Sequence, residues 1–126
     1  MTLAPGARAS LSITVGQDDT AERVGSGEVP VLATPRVLAL AEAATVRAVA
    51  DRLAPGQTSV GTRVTLEHRA ASPVGARVAV DAELTEVDGR RLVFSFAARD
   101  GDRLLATGTI ERVVVDGERF IAKVYG

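Results

Sequence analysis

Thr34-Pro35-Arg36-Val37-Leu38-Ala39-Leu40-Ala41-Glu42-Ala43-Ala44-Thr45-Val46-Arg47-Ala48-Val49-Ala50-Asp51-Arg52-Leu53-Ala54-Pro55-Gly56 decides the fold. Thr is a favoured helix N-cap and Pro a favoured first helical residue, so a helix starts at about Pro35. It runs to about Leu53 and stops at Ala54-Pro55-Gly56, a strong breaker. Leu38, Glu42, Thr45 and Val49 fall on one side at helical spacing, and Leu40, Ala44 and Ala48 make a second stripe of small residues. A helix this rich in Ala is apolar nearly all round, which implies that other elements wrap it.

Outward from this helix the pattern changes to a period of two. Upstream, residues 9–16 alternate strictly, with Leu11, Ile13 and Val15 on one face of a strand, and residues 17–30 are a polar, glycine-containing loop. Downstream, residues 58–71 place Val60, Thr62, Val64, Leu66 and His68 on one face, with Ser59, Arg63, Thr65, Glu67 and Arg69 on the other. Ser72-Pro73-Val74-Gly75 reads as a turn. Residues 77–87 turn Val78, Val80, Ala82 and Leu84 to the core, and residues 91–99 do the same with Leu92, Phe94, Phe96 and Ala98. Residues 103–115 form a long last strand whose inner face carries Leu104, Ala106, Gly108, Ile110, Arg112 and Val114. Asp88-Gly89 and Asp100-Gly101 sit between strands as hairpin signals, and residues 118–124 read as a short helix. The order is strand, loop, long helix, then a meander of four strands. This implies an α+β fold with an antiparallel sheet of about five strands curled round one helix. A lone helix covers one sheet face, so the other face or an edge is expected to meet a second subunit.

Composition narrows the function classes. With 126 residues, residues 1–126 read as a single domain with its own core, built from Val, Leu, Ala and Ile because aromatics are only 3%. The net charge is −1, with no basic run and no aromatic row for stacking bases, so nucleic-acid binding is not expected. The lack of cysteine excludes disulfides, thiolate catalysis and cysteine-ligated metals, and one histidine argues against a zinc site within a chain. No signal core or membrane-spanning run stands out, so a cytoplasmic protein without a cofactor is the expectation.

Two polar residues stand out against apolar surroundings. Glu42 interrupts the Ala/Leu run, and His68, the only histidine, falls on the apolar face of its strand. Such groups are costly on packed surface unless something pairs with them. Glu42 reads either as a residue escaping at the rim of the stripe, or as a general base, a nucleophile or a group orienting one. His68 reads as a satisfied core histidine or as a catalyst. Thr34 has a capping role on sequence rules, but a hydroxyl at a helix N-terminus can also attack or hydrogen-bond a reacting oxygen. Arg112 is either a strand-end residue reaching water or an inward cation needing an anion. Gly61 marks a bulge or a close backbone approach.

The segments Val31-Leu32-Ala33-Thr34-Pro35 through Glu42, Val60-Gly61-Thr62, Glu67-His68-Arg69-Ala70-Ala71-Ser72-Pro73, Gly108-Thr109-Ile110-Glu111-Arg112 and Phe120-Ile121-Ala122-Lys123-Val124 resemble the fluoroacetyl-CoA thioesterase family of small hotdog-fold proteins. The joint spacing of Thr34, Glu42, Gly61, His68 and Arg112 carries the resemblance. It implies a hotdog fold, a homodimer through sheet edges with sites at the subunit interface (or a tetramer), and an acyl-CoA substrate. It also implies Thr34, Glu42 and His68 as catalytic residues, Gly61 near the acyl group, and Arg112, Val31 and Leu32 lining its pocket. Arg36, Arg47, Arg63, Arg69 and Arg77 are candidates for the CoA phosphates. One departure is plain: residues 25–32 contain no aromatic where the fluoroacetate-specific enzyme has a phenylalanine-bearing lid, so fluoroacetyl selectivity is not implied. The expected activity is hydrolysis of a short or small acyl-CoA. The alternatives are a non-catalytic acyl-CoA binding module and, last, a hydratase-like or structural hotdog.

Overall fold

In the computed structural model, which describes residues 2–126, the long helix spans Thr34–Val49. Two shorter segments precede it, a 3₁₀ turn at Gln17–Asp19 and α1 at Ala21–Val24, so the long helix is α2. It ends four residues earlier than its apolar spacing suggests. Ala50 N–H bonds Arg47 O at 3.3 Å and Arg52 N–H bonds Val49 O at 2.9 Å, i to i−3 bonds that tighten the last turn. Leu53 still packs, half-buried, at the edge of the core. The N-cap is Ala33, with Thr34 and Pro35 at the first two helical positions, which corrects the capping role expected of Thr34.

The strands are β1 (Arg8–Thr14), β2 (Gln57–His68), β3 (Arg77–Asp88), β4 (Arg91–Asp100) and β5 (Arg103–Asp116). They form one antiparallel sheet in the order β1-β3-β4-β5-β2. Only β3, β4 and β5 are a meander, turning at Gly89 (φ +58°) and Gly101 (φ +57°) where glycine tolerates the left-handed backbone. The expected four-strand meander fails at β2. Residues 69–76 are too long for a tight hairpin and carry the chain from edge strand β2 across to β3, one strand in from the opposite edge, so β2 pairs with β5 rather than β3. Helix α3 (Gly117–Tyr125) closes the chain, capped by the Asp116 carboxylate, which accepts from Arg119 N–H at 3.0 Å.

A bulge between Gly61 and Arg63 changes which residues of β2 face inward. After it, Val64, Leu66 and His68 pair with Ile110, Gly108 and Ala106 on the inner face, as the alternation predicts. Before it the faces are exchanged. Ser59 and Gly61, opposite Val114 and Arg112, point inward, while Val60 and Thr62 do not. A second irregularity in the β4–β5 pairing buries Leu105 in place of Leu104.

The core lies between α2 and the inner sheet face. Val37, Leu40, Ala41 and Ala44 meet Val78, Val80, Phe96 and Ile110, and Val49 joins Leu84, Leu92, Phe94 and Val114 in a second cluster. A methyl group on Gly108 would collide with the Thr65 carbonyl oxygen of β2 and come within 2.6 Å of the Phe96 ring, so this position must be glycine. The helix is not wrapped all round. Ala39, Ala43 and Val46 are exposed, and α2 packs chiefly on β1 and β3, leaving the inner face of β2 thinly covered, with Val64 42% exposed.

Candidate active site

The first half of the site lies where the start of α2 meets the end of β2. Freed from capping, the Thr34 hydroxyl sits 2.8 Å from His68 Nδ1. Burial pushes the imidazole pKa below its usual value, and the Ala70 backbone offsets this only in part. A neutral ring has one bare nitrogen, so with the proton on Nε2, Nδ1 accepts from the Thr34 hydroxyl. Nε2 is buried and makes no hydrogen bond among the described residues. The Ala33 amide is taken by Asp19 O at 2.9 Å, and Pro35 has none. The Thr34 N–H makes no backbone hydrogen bond among the described residues and lies beside its own hydroxyl, at the positive end of the helix dipole.

The second half gathers Glu42, Arg112, Gly61 and a residue that strand alternation placed outside, Ser59. Arg112 is 6% exposed and fully engaged along one edge. Its Nε donates to Ser59 Oγ at 2.8 Å, Nη2 to Ser59 O at 2.9 Å and Nη1 to Glu42 Oε2 at 3.4 Å. Burial lowers the Arg112 pKa and the facing Glu42 carboxylate counteracts it, the balance expected of a cation held inside by one anion. A methyl group on Gly61 would lie 2.6 Å from Glu42 Oε2, so glycine leaves the room that the carboxylate occupies. Gly61 thus combines the two features expected of it, a bulge and a close approach.

Within one chain the two halves stay apart. Thr34 and Glu42 are eight positions apart on α2, roughly 12 Å along its axis. His68 and Gly61 lie toward opposite ends of the β2–β5 ladder. Thr34 and His68 are brought together, as are Glu42, Gly61 and Arg112, but the trio of Thr34, Glu42 and His68 is not.

An open cleft of about 320 Å³ lies over the Thr34–His68 pair, walled by Ala21, Val29, Val31, Leu32 and Ala70. The expected loop at 17–30 carries the 3₁₀ turn and α1, and its root is tied down by Ala21 N–H to Val31 O at 2.8 Å. Leu32 N–H bonds Ser72 O at 2.9 Å, which fixes the strand-like step before Thr34. A larger depression of about 530 Å³ on the sheet is floored by the Ser10–Asp81 and Arg8–Glu83 pairs and holds no reactive arrangement. Of the arginines considered for phosphates, Arg69 lines the cleft and Arg36 stands in the first turn of α2. Arg47, Arg63 and Arg77 lie elsewhere, reaching Ser10 O, Glu111 and Thr14 Oγ1. Among the described residues no group of three His, Cys, Asp or Glu side chains is arranged to hold a metal, and no helix is long and apolar enough to cross a membrane.

Comparison with known proteins gives the family of the chain. The family model for fluoroacetyl-CoA-specific thioesterase matches residues 15–118. The fluoroacetyl-CoA thioesterase of Streptantibioticus cattleyicolor is 47% identical over 94 residues, covering 75% of this chain and 68% of the relative. The solved structure of the fluoroacetyl-CoA thioesterase FlK superposes with a TM-score of 0.93 at 37% identity, over 99% of this chain and 97% of that one. A hot-dog-like protein from Thermanaerovibrio acidaminovorans superposes at 0.89 with 26% identity, over 98% and 91%. The sheet curled over one helix is therefore the hotdog fold, and this chain belongs to the fluoroacetyl-CoA-specific thioesterase family.

Proposed function

We propose that this protein hydrolyses a short or small acyl-CoA thioester in the cytoplasm, using Thr34, His68 and Glu42. The observation that carries the reading is the 2.8 Å pair of Thr34 and His68 at the floor of an apolar cleft, in a chain of a thioesterase family. His68, neutral near pH 7, takes a proton from the attacking oxygen, which is either the Thr34 hydroxyl or a water in its place. Attack forms the carbon–oxygen bond and a tetrahedral oxyanion, whose collapse breaks the carbon–sulfur bond as His68 passes the proton to the CoA sulfur. Where Thr34 is the attacker, a water deprotonated by His68 then cleaves the acyl ester and the proton returns to the Thr34 oxygen. In this reading the Thr34 N–H, at the start of α2, donates to the developing oxyanion. Because residues 25–32 offer Val29, Val31 and Leu32 in place of an aromatic lid, we do not assign fluoroacetyl selectivity.

The same proposal includes a homodimer that completes the site. The inner face of β2 and the outer face of α2 are thinly covered, and Glu42 with its Arg112 support is too far along α2 to serve the Thr34 of its own chain. In a two-fold pair each chain gives its Thr34–His68 half to the other's Glu42–Gly61 half. The test is thiol release from a panel of acetyl-, fluoroacetyl-, propionyl-, butyryl-, phenylacetyl- and longer acyl-CoAs. Hydrolysis of at least one member, lost in His68→Ala, is the expected result. No hydrolysis, with thermal stabilisation by an acyl-CoA, would make the protein a binding module, the reading that the missing aromatic favours.

A further inference from the structure

We infer that Asp19 and Arg36 form a positioning pair that holds Thr34 in register with His68, an inference resting on the reading of those two as the reactive pair. Arg36 is in the first turn of α2, where the helix dipole disfavours a cation. Its Nε turns back to Asp19 Oδ1 at 2.7 Å, while Asp19 Oδ2 accepts from Gly16 N–H at 2.8 Å. The backbone carbonyl of Asp19 accepts from Ala33 N–H at 2.9 Å. One residue therefore grips the chain on both sides of Thr34, at Ala33 just before it and at Arg36 two positions after.

No side chain caps α2, so this grip replaces the cap. The Asp19 side chain is only 18% exposed. Burial pushes its carboxyl up, but Arg36 and the Gly16 N–H more than offset this, leaving it below its ordinary value and ionised. On the opposite side, Leu32 N–H to Ser72 O ties the same segment to the connection that follows His68. Thr34 is thus stretched between two anchors. Only the Asp19 anchor includes side chains, so its grip on Arg36 can be released by substitution while the backbone bond to Ala33 is kept.

His68 is the only histidine, so its ring nitrogens give unambiguous ¹⁵N signals that report on the Thr34 hydrogen bond without turnover. In Asp19→Asn and Arg36→Gln, the Nδ1 signal should move toward that of Thr34→Ala, and kcat should fall about fivefold or more with KM within about twofold. Arg36→Lys, which keeps the charge, should retain most of both. The double variant should be no worse than either single one, because both remove one interaction. An unchanged Nδ1 signal in the two single variants overturns the inference. So does a raised KM at unchanged kcat, which would place Arg36 on the substrate. Since the ring signal exists without hydrolysis, failure here is separable from failure of the thioesterase reading.

Discussion

The two ends of β2 hold the two halves of the site, and they are built in opposite ways. At the His68 end the polar groups are left open. The imidazole has one bond to a hydroxyl and a buried nitrogen without a partner among the described residues, and the cleft over it is walled mainly by apolar side chains. At the Gly61 end they are closed, with Arg112 bound to Ser59 and Glu42. A group that must exchange protons during a reaction needs spare hydrogen-bonding capacity, whereas a group that keeps a fixed charge in place is best surrounded. Under the proposed reaction, the moving proton belongs to the first half and electrostatic support to the second.

The largest effects should come from the open half. Thr34→Ala or His68→Ala should lower kcat/KM on the order of 100-fold in a thiol-release assay, with thermal stability changed by less than about 1 kcal/mol. An equal loss of stability would put these residues in the core rather than in the chemistry. In the closed half the order should reverse. Glu42→Leu removes the only anion facing Arg112 and should destabilise by about 1–3 kcal/mol in denaturant titration, less than for a fully buried pair because the carboxylate is 38% exposed. A gain in stability would mean that the pair does no structural work. Glu42→Gln, which keeps the shape, should still cost about tenfold in kcat/KM.

Gly61→Ala sharpens the comparison. Its methyl group meets only the mobile end of the Glu42 side chain, so folding should hold within about 1 kcal/mol while activity falls several-fold. The smallest effect is that of pH. The pKa of His68 is lowered on folding, so below its unfolded value near 6.5 the unfolded chain binds the proton more readily. The associated stability is present above that pH and is lost as pH falls through the folded value. His68→Ala should flatten this slope, and the acid limb of kcat/KM should fall below pH 6.5, as a pH series of both measurements would reveal.

What was legible in the sequence was local. Period-two runs, Asp-Gly turns and a Thr-Pro helix start are set by neighbours in the chain, and the elements they imply are present within a few residues. The pairing of β2 with β5 was not legible, because it depends on where residues 69–76 carry the chain. Gly61 signals a bulge or a close backbone approach, but glycine alone does not say how the register shifts. One extra residue turns Ser59 inward, and that reveals the support of Arg112. Asp19 lies in a stretch whose sequence reads only as polar loop, and its pairing with Arg36, seventeen positions away, is visible only in the fold. Thr34 shows the limit of a capping rule. Shifting the helix start by one residue moves its hydroxyl from the backbone to His68.

The central claim is that the open and closed halves serve one reaction from different chains. The direct measurement is to mix His68→Ala, expected to be inactive, with Glu42→Gln, expected to keep about a tenth of the activity, allow subunits to exchange, and assay thiol release above the sum of the separate proteins. With a site shared across a dimer, half the molecules become mixed dimers with one intact site each, so activity should return to about a quarter of the unsubstituted protein. No recovery, with exchange verified by differently tagged chains, would contradict the shared site.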